Sequence, residues 1–210
     1  IVKSISPNRG SEKGGTEIIV TGDNFDPYDS LFCVFGSDNM VPAVFITESL
    51  LSCVTPESDE GSGVVTVRIH AKEHAFTSQS DIVFLYKSIM TVDSLTPVTG
   101  PSSGSTIIEL NGTNLEHVES CRFGGTVIVT AFIYSDHIEC KTPSWSFSMK
   151  SVKVEITYNG VDYEDTGFTF LYHDIVHIKS ISPKRGSLVG ETLVDIYGSN
   201  FVDSSSIQCK

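Results

Sequence analysis

The amino-acid sequence predicts an all-β protein built from tandem β-sandwiches. An internal repeat recurs about every 88 residues, a length that suits one small sandwich and exceeds that of the helical solenoid repeats. Within each repeat, short alternating apolar and polar runs are broken by Gly, Pro, Asn and Asp, which is typical of antiparallel sheets. With 40% apolar and 19% charged residues, the chain of 210 residues is expected to fold throughout.

Three similar segments mark the starts of the repeats. They read VKSISPNRGSEKGGTEIIVTGDNF at 2–25, VDSLTPVTGPSSGSTIIELNGTNL at 92–115 and IKSISPKRGSLVGETLVDIYGSNF at 178–201. Downstream, LFCVFG matches ESCRFG, LLSCVTP matches HIECKTP, and FLY closes the first two repeats. We therefore predict repeat 1 over 1–87, repeat 2 over 88–174, and the N-terminal part of a truncated repeat 3 over 175–210.

The prolines, the glycines and the alternation of apolar and polar residues locate the first two strands of each repeat. The entering strand is expected to end at Pro7, Pro97 and Pro183, because proline cannot continue a hydrogen-bonded strand. In the next strand the inward positions are Ile18 and Val20, Ile108 and Leu110, and Val194 and Ile196, whereas Ile19, Glu109 and Asp195 face outward. This strand gives way to a turn at Gly22, Gly112 and Gly198, for which we predict a positive φ.

The five cysteines follow the repeat. Alternation points Cys33 and Cys53 of repeat 1, and Cys121 and Cys140 of repeat 2, inward, where each pair can form a disulfide. Cys209 occupies the place of the first cysteine in repeat 3 and is expected to be unpaired by truncation. Buried thiols are the alternative, but recurrence in two repeats favours disulfides, which indicate an oxidising compartment.

Asn111 is a candidate N-glycosylation site. Asn111-Gly112-Thr113 is the only N-x-S/T sequence in the chain. Asn111 falls on the outward row with Thr21 and Tyr197, so a glycan there would avoid the core. Glycosylation and a chance match both remain open.

The recurring pattern resembles the IPT/TIG (immunoglobulin-like, plexin/transcription-factor) domain family. The residues that carry the resemblance are the I-x-S-I-x-P-x-x-G opening, the G-x-N-F turn, and the C-x-F-G and C-x-T-P strands. Repeat 2 departs by having Leu115 in place of the turn phenylalanine. The resemblance implies immunoglobulin-like (early-set) sandwiches, and the paired cysteines in tandem repeats are most similar to eukaryotic cell-surface members. Fold alone does not choose among the family's functions.

The connectors between repeats predict a semi-rigid rod. About five residues separate Tyr86 from Val92, and some of them are apolar, unlike a flexible Gly/Ser linker. Ile89, Met90 and Val176 are the residues expected to pack at the junctions.

Several segments match motifs for catalysis or metal binding, but their sequence context argues against that chemistry. Ser102 lies in a G-x-S-x-G match, but a strand follows it where a nucleophile elbow needs a helix. His70 and His74 match an inverted zinc signature, yet they follow a strand, and His173 and His177 lie in a connector. Asp23, Asp26 and Asp29 could gather around Ca²⁺, but a solvated loop is the better interpretation. We expect no catalytic residue, no metal and no cofactor.

The sequence favours a non-catalytic segment of an extracellular or cell-surface protein that mediates protein binding or cell adhesion. The alternatives are a structural repeat of an extracellular fibre and, less favoured, an accessory sandwich of a carbohydrate-active enzyme. A net charge of −12 with scattered basic residues argues against nucleic acid. The expected partner is a protein or neighbouring repeats of the same protein, and any membrane anchor would lie outside this fragment. Tyr28, Trp145 and Tyr197 are the candidate exposed aromatic residues.

Overall fold

The described residues fold into β-strands and connecting loops, as the sequence predicted. The structure is a computed structural model that describes residues 1–79, 81–146, 150–201 and 209. No helix occurs in those ranges. Strands β1–β10 fall within repeat 1, β11–β18 within repeat 2, and β19–β20 within the third segment.

Repeat 1 is a sandwich of two sheets. One sheet has the strand order β1-β3-β7-β6 and the other has the order β2-β10-β8-β4-β5, with β9 paired to β8. The short strand β2 runs parallel to β10 and is not among the strands that the sequence predicted. The bounds are β1 Val2–Ser6, β2 Arg9–Ser11, β3 Glu17–Gly22, β4 Leu31–Phe35, β5 Asn39–Pro42, β6 Val44–Thr47, β7 Leu50–Val54, β8 Gly63–Ala71, β9 Phe76–Thr77 and β10 Val83–Lys87.

Repeat 2 has the same architecture with one difference. A single strand, β15, pairs with β14 through residues 127–130 and with β16 through residues 131–133, so it passes from one sheet to the other. The strand order is therefore one path, β11-β13-β16-β15-β14-β17-β18-β12. The bounds are β11 Thr91–Thr96, β12 Thr99–Pro101, β13 Ile107–Thr113, β14 Ser120–Phe123, β15 Val127–Ile133, β16 Ile138–Lys141, β17 Lys150–Thr157 and β18 Glu164–His173.

The third segment forms an antiparallel hairpin of β19 (His177–Ser182) and β20 (Asp195–Ser199). Its register matches that of β1 with β3 and of β11 with β13. Val194, which the alternation places inward, is 42% exposed, because the described residues include no second sheet opposite this hairpin.

The predicted core faces of repeats 1 and 2 are confirmed. Ile18, Val20, Ile108 and Leu110 are fully buried, as are the phenylalanines beside the cysteines, Phe35 and Phe123. Alternation predicts these faces well because side chains on a strand point to opposite sides of the sheet in turn.

The recurring turn glycines have a different role from the one predicted. Gly22, Gly112 and Gly198 do not have a positive φ; that conformation occurs two residues later, at Asn24, Asn114 and Asn200. A Cβ on the glycine would instead overlap a backbone carbonyl oxygen of the neighbouring strand, that of Ile1, Thr91 or His177. Glycine is needed for the close approach of two backbones, and the φ > 0 position is left to asparagine, which tolerates it.

A tyrosine links two of the sequence motifs. The Tyr86 hydroxyl donates a hydrogen bond to the Pro56 carbonyl at 2.9 Å, and the Tyr172 hydroxyl donates to the Pro143 carbonyl at 3.0 Å. The F-L-Y strand is thereby fixed to the C-x-T-P strand in both repeats. Burial raises the pKa of Tyr86 and Tyr172 to about 12.

Candidate functional site

The four paired cysteines lie at the centres of the two cores. The Cys33–Cys53 disulfide joins β4 to β7, and the Cys121–Cys140 disulfide joins β14 to β16, so each bond connects the two sheets of one sandwich. All four residues are at most 2% exposed. Cys209 is exposed and forms no disulfide in the described part of the chain.

Asn111 lies on the outward face of β13. It pairs with Ser94 of β11, in the register that Thr21 and Tyr197 have in the other repeats. Its side-chain amide donates a hydrogen bond to Glu109 Oε1 at 3.0 Å, at the surface. A glycan could extend from this position without displacing a core residue.

Of the three aromatic residues expected at the surface, two are exposed and the third is packed against the core. Tyr28 is 92% exposed and Tyr197 is 53% exposed. The expectation for Trp145 was wrong, because it packs against the repeat 2 core and stacks on Tyr172 with ring centroids 5.5 Å apart. This contact joins the segment after C-x-T-P to the last strand of the repeat, and no local sequence pattern indicates it.

The residues that match catalytic or zinc-binding motifs in the sequence lie in separate environments. Ser102 is in the turn between β12 and β13, where its amide donates to the His173 carbonyl. His70 contacts Thr77 Oγ1 at 2.9 Å, and His173 contacts the carbonyl of Asp174 at 2.8 Å. His177 begins β19. Among the residues that the structure describes, no three His, Cys, Asp or Glu side chains are grouped so as to hold a metal ion.

One loop cluster was not recognised from the sequence. Asp29 accepts hydrogen bonds from the Glu73 amide at 3.0 Å and pairs with His74 Nδ1 at 2.7 Å, while Glu73 accepts from the amide and hydroxyl of Ser30. Hydrogen bonding to Glu73 and then to His74 lowers the pKa of Asp29 to about 2, and the hydrogen bond to Asp29 raises the pKa of His74. Asp29 therefore ties two loops together, a role distinct from that of a calcium ligand.

Repeats 1 and 2 contact each other directly through polar side chains. Arg9 forms an ion pair with Glu119 at 2.9 Å, and the Thr16 hydroxyl donates to Asp162 Oδ2 at 2.6 Å. Asn159 Nδ2 donates to the Arg9 carbonyl at 3.1 Å. The turn between β17 and β18 thus lies against β2 and the loop after it.

This junction differs from the predicted apolar one. Met90 is buried, but within the core of repeat 2, and Ile89 is 41% exposed. In the next connector, between repeat 2 and the third segment, Val176 is 40% exposed. The contacts between repeats 1 and 2 are not made by the connector. They join residues that are 146 and 150 positions apart in the sequence.

The described residues contain no helix long and apolar enough to cross a lipid bilayer.

Fibrocystin-L and the plexins, which are much longer than this chain, are among its relatives. Human fibrocystin-L is 26% identical over 209 residues, which is 97% of this chain and 5% of that protein. Rat plexin-A3 is 30% identical over 118 residues, which is 56% of this chain and 6% of that protein. The chain thus spans about a twentieth of the length of these relatives. The solved plexin A4 full extracellular region has the same fold, with a TM-score of 0.52 and 21% identity over 90% of this chain and 18% of that one.

The disulfides in the two cores and the relatives of the chain together indicate the compartment in which the protein is located. A disulfide in each of two sandwiches is a feature of proteins exposed to an oxidising environment. The chain is an extracellular or cell-surface segment.

Family membership is shown over almost the whole length. The model of the IPT/TIG domain matches residues 1–86, 90–172 and 177–210. The three matched segments are the two sandwiches and the segment that contains the β19–β20 hairpin. The chain therefore belongs to the IPT/TIG domain family.

Proposed function

We propose that this chain is a non-catalytic segment that mediates protein binding or cell adhesion at the cell surface. The observation that carries the proposal is the direct junction between repeats 1 and 2, in which the β17–β18 turn is held against β2 by Arg9, Thr16 and Asp162. Two sandwiches fixed in this way present one continuous surface to a partner.

The proposal includes a division into repeats at 1–87, 88–174 and 175–210. The first two ranges each contain a pair of sheets closed by its own disulfide, which supports their treatment as separate folding units. The third contains only a hairpin among its described residues. We also propose that Asn111 carries a glycan, because its outward position supports modification.

Binding can be tested with the chain itself. The secreted protein, coupled to fluorescent beads, is added to intact cells, before and after mild trypsin treatment of the cells. We expect beads to attach to untreated cells of at least one type and to lose attachment after trypsin, because the partner is a protein. Beads that carry the chain after reduction and alkylation are the matched control. Attachment no better than this control would contradict the proposal.

A further inference from the structure

The side chain of Asn111 lies next to a pair of stacked aromatic rings. The ladder between β13 and β16 pairs Leu110 with Ile138, so it brings Asn111 beside His137, the residue that precedes β16. Because Ile138 is buried, alternation points His137 to the outward face on which Asn111 lies. Side chains opposite each other on neighbouring strands have Cβ atoms about 5 Å apart. The His137 ring stacks on the Tyr134 ring, with centroids 4.6 Å apart and planes inclined by 7°. Tyr134 is 51% exposed, so the stack reaches the surface.

Carboxylates hold the His137 ring in this orientation. The Asp136 carboxylate lies 2.8 Å from His137 Nδ1, and Glu139 Oε1 lies 3.7 Å from Nε2. The hydrogen bond from Asp136, together with the charges of Glu109 and Glu139, raises the pKa of His137. Both ring nitrogens thus face carboxylates at the edge of the ring. The ring therefore stands in one orientation beside Asn111.

The Asn111 side chain is fixed at the same place. Its amide donates to Glu109 Oε1 at 3.0 Å, and the Glu109 carboxylate also acts on His137 through its charge. An N-glycosidic bond would replace one of the two hydrogens of the Asn111 amide, and the remaining hydrogen is enough for the bond to Glu109. A glycan would therefore start from a positioned amide group next to the ring stack.

The glycosylation sequence and the aromatic stack occur at the same place in the same repeat. In repeat 1 the position of Asn111 is taken by Thr21, and the residue opposite it on the next strand is Leu50, which has no ring. In the third segment the position is taken by Tyr197. The only N-x-S/T sequence of the chain thus coincides with an aromatic pair beside it, and this coincidence favours a common role over a chance match.

We propose that Tyr134 and His137 form an intramolecular platform for the first N-acetylglucosamine of a glycan on Asn111. This inference rests on the glycan proposed above and deepens it by assigning the residues that hold the sugar. One face of this sugar ring presents axial C–H groups, which pack on aromatic rings through dispersion and the removal of apolar surface from water. A glycan held in this way stabilises repeat 2 and lies along the outward face of the sheet that contains β13 and β16.

The test compares three forms of the full chain by calorimetry, all in a Cys209→Ser background. Secretion from eukaryotic cells that add high-mannose glycans provides the glycosylated form, and endoglycosidase H trims it to one N-acetylglucosamine. Export to a bacterial periplasm provides the same sequence without sugar. We expect the unfolding transition of repeat 2 to lie about 3–6 °C higher in the first two forms, the shift that an aromatic contact of ordinary strength gives in a domain of this size. The transition of repeat 1 should not change.

Variants of Tyr134 separate the platform from other effects of the glycan. In Tyr134→Ala the difference between the one-sugar and sugar-free forms should fall by at least half, whereas Tyr134→Phe, which keeps the ring, should retain it. Tyr28→Ala removes an exposed tyrosine in repeat 1 and is the matched control, in which the difference should be unchanged. Nuclear Overhauser effects between the Tyr134 ring and the sugar in the one-sugar form of the parent report the contact directly, whether or not Tyr134→Ala folds.

Three results would overturn the platform. The intact mass of the secreted chain could show no glycan on Asn111, which would remove the glycan proposal as well. The glycosylated chain could unfold at the same temperature as the sugar-free one and give no Overhauser effect, or its stabilisation could persist in full in Tyr134→Ala. Either of these last two results would leave the glycan in place and remove only its contact with the rings. The bead assay measures attachment to a protein partner on cells, so it can succeed while this inference fails.

Discussion

Gly112 and its equivalents allow two backbones to come into contact at the start of each repeat. A Cβ at Gly112 would overlap the carbonyl oxygen of Thr91, whereas a Cβ at Gly63, the exposed first residue of β8, would meet no atom within 4 Å. The two glycines therefore provide a matched pair in which the same methyl group is added to a crowded and to an empty site.

We expect Gly112→Ala to lower the free energy of unfolding of repeat 2 by about 1–3 kcal/mol, because the strands β11 and β13 must separate to admit the methyl group. Gly63→Ala should cause no loss. Urea titration of the two variants, followed by fluorescence, measures the difference. Equal stability of both variants would show that the backbone contact at Gly112 is not needed.

The buried tyrosines should be visible in a pH titration. Burial raises the pKa of Tyr86 and Tyr172 to about 12, above the value of about 10 that tyrosine has in a model peptide, so their hydroxyls stay protonated at a pH where a fully solvated tyrosine ionises. Since the folded state holds these protons more tightly than the unfolded chain, stability is unaffected below about pH 10 and falls as pH rises from about 10 towards 12.

The late ionisation of the buried tyrosines can be tested by measuring the absorbance of tyrosinate as a function of pH. We expect one ionisation phase near pH 10 and a later one that coincides with the loss of β-sheet circular dichroism. In Tyr86→Phe and Tyr172→Phe the later phase should shrink. A single phase near pH 10 for all tyrosines would contradict the burial of the two hydroxyls.

At the scale of the strands, the disulfides and the C-x-T-P motif join the two sheets of each sandwich. The Cys33–Cys53 bond closes a loop of 20 residues and the Cys121–Cys140 bond one of 19. Both are fully inside the core, so the sandwich is cross-linked at its centre and not at its rim.

Removal of one disulfide should destabilise only its own repeat. In the chain-entropy model a loop of this size contributes about 3 kcal/mol, so Cys121→Ala/Cys140→Ala should lower the unfolding transition of repeat 2 and leave that of repeat 1 in place. Calorimetry of this variant, with Cys33→Ala/Cys53→Ala as its counterpart, measures each transition. If the parent protein gained the mass of labelled thiols at all four positions, the disulfides and the extracellular assignment would both be wrong.

Strand positions and core faces could be predicted because they depend on local alternation, as Ile18, Val20, Ile108 and Leu110 show. The short parallel strand β2 could not, since its pairing with β10 brings together residues that are about 76 apart, Arg9 and Leu85. The role of Gly22 was also missed, because a carbonyl oxygen of another strand leaves no trace in the local sequence. Trp145 and the Asp29–His74 pair belong to the same class of contact between distant segments.

At the scale of the whole molecule, the junction between repeats 1 and 2 is polar and is made by segments far apart in the chain. The ion pair that it contains, Arg9–Glu119, is partly exposed and contributes little to stability by itself. Its effect is on orientation, because Thr16, which is only 1% exposed, holds Asp162 of the neighbouring repeat.

We expect Arg9→Ala/Asp162→Ala to loosen the arrangement of the repeats without unfolding them. Small-angle X-ray scattering should show a broader distribution of distances than in the parent, while the thermal transitions change little. Lys3→Ala removes the Lys3–Asp23 ion pair, which lies within repeat 1, and is the control for loss of a surface charge. Unchanged scattering in the double variant would mean that the connector, not the side chains, sets the orientation.

The position of the junction residues also sets the order in which the protein can be assembled during synthesis. Repeat 1 has all its strands once Lys87 has emerged, but Asp162 follows 75 residues later. At about 5–20 residues per second this delay is roughly 4 to 15 s. During that time a finished first sandwich is tethered to an unfinished second one and can turn freely. The angle between them is fixed last, by a hairpin that cannot form until repeat 2 is nearly complete.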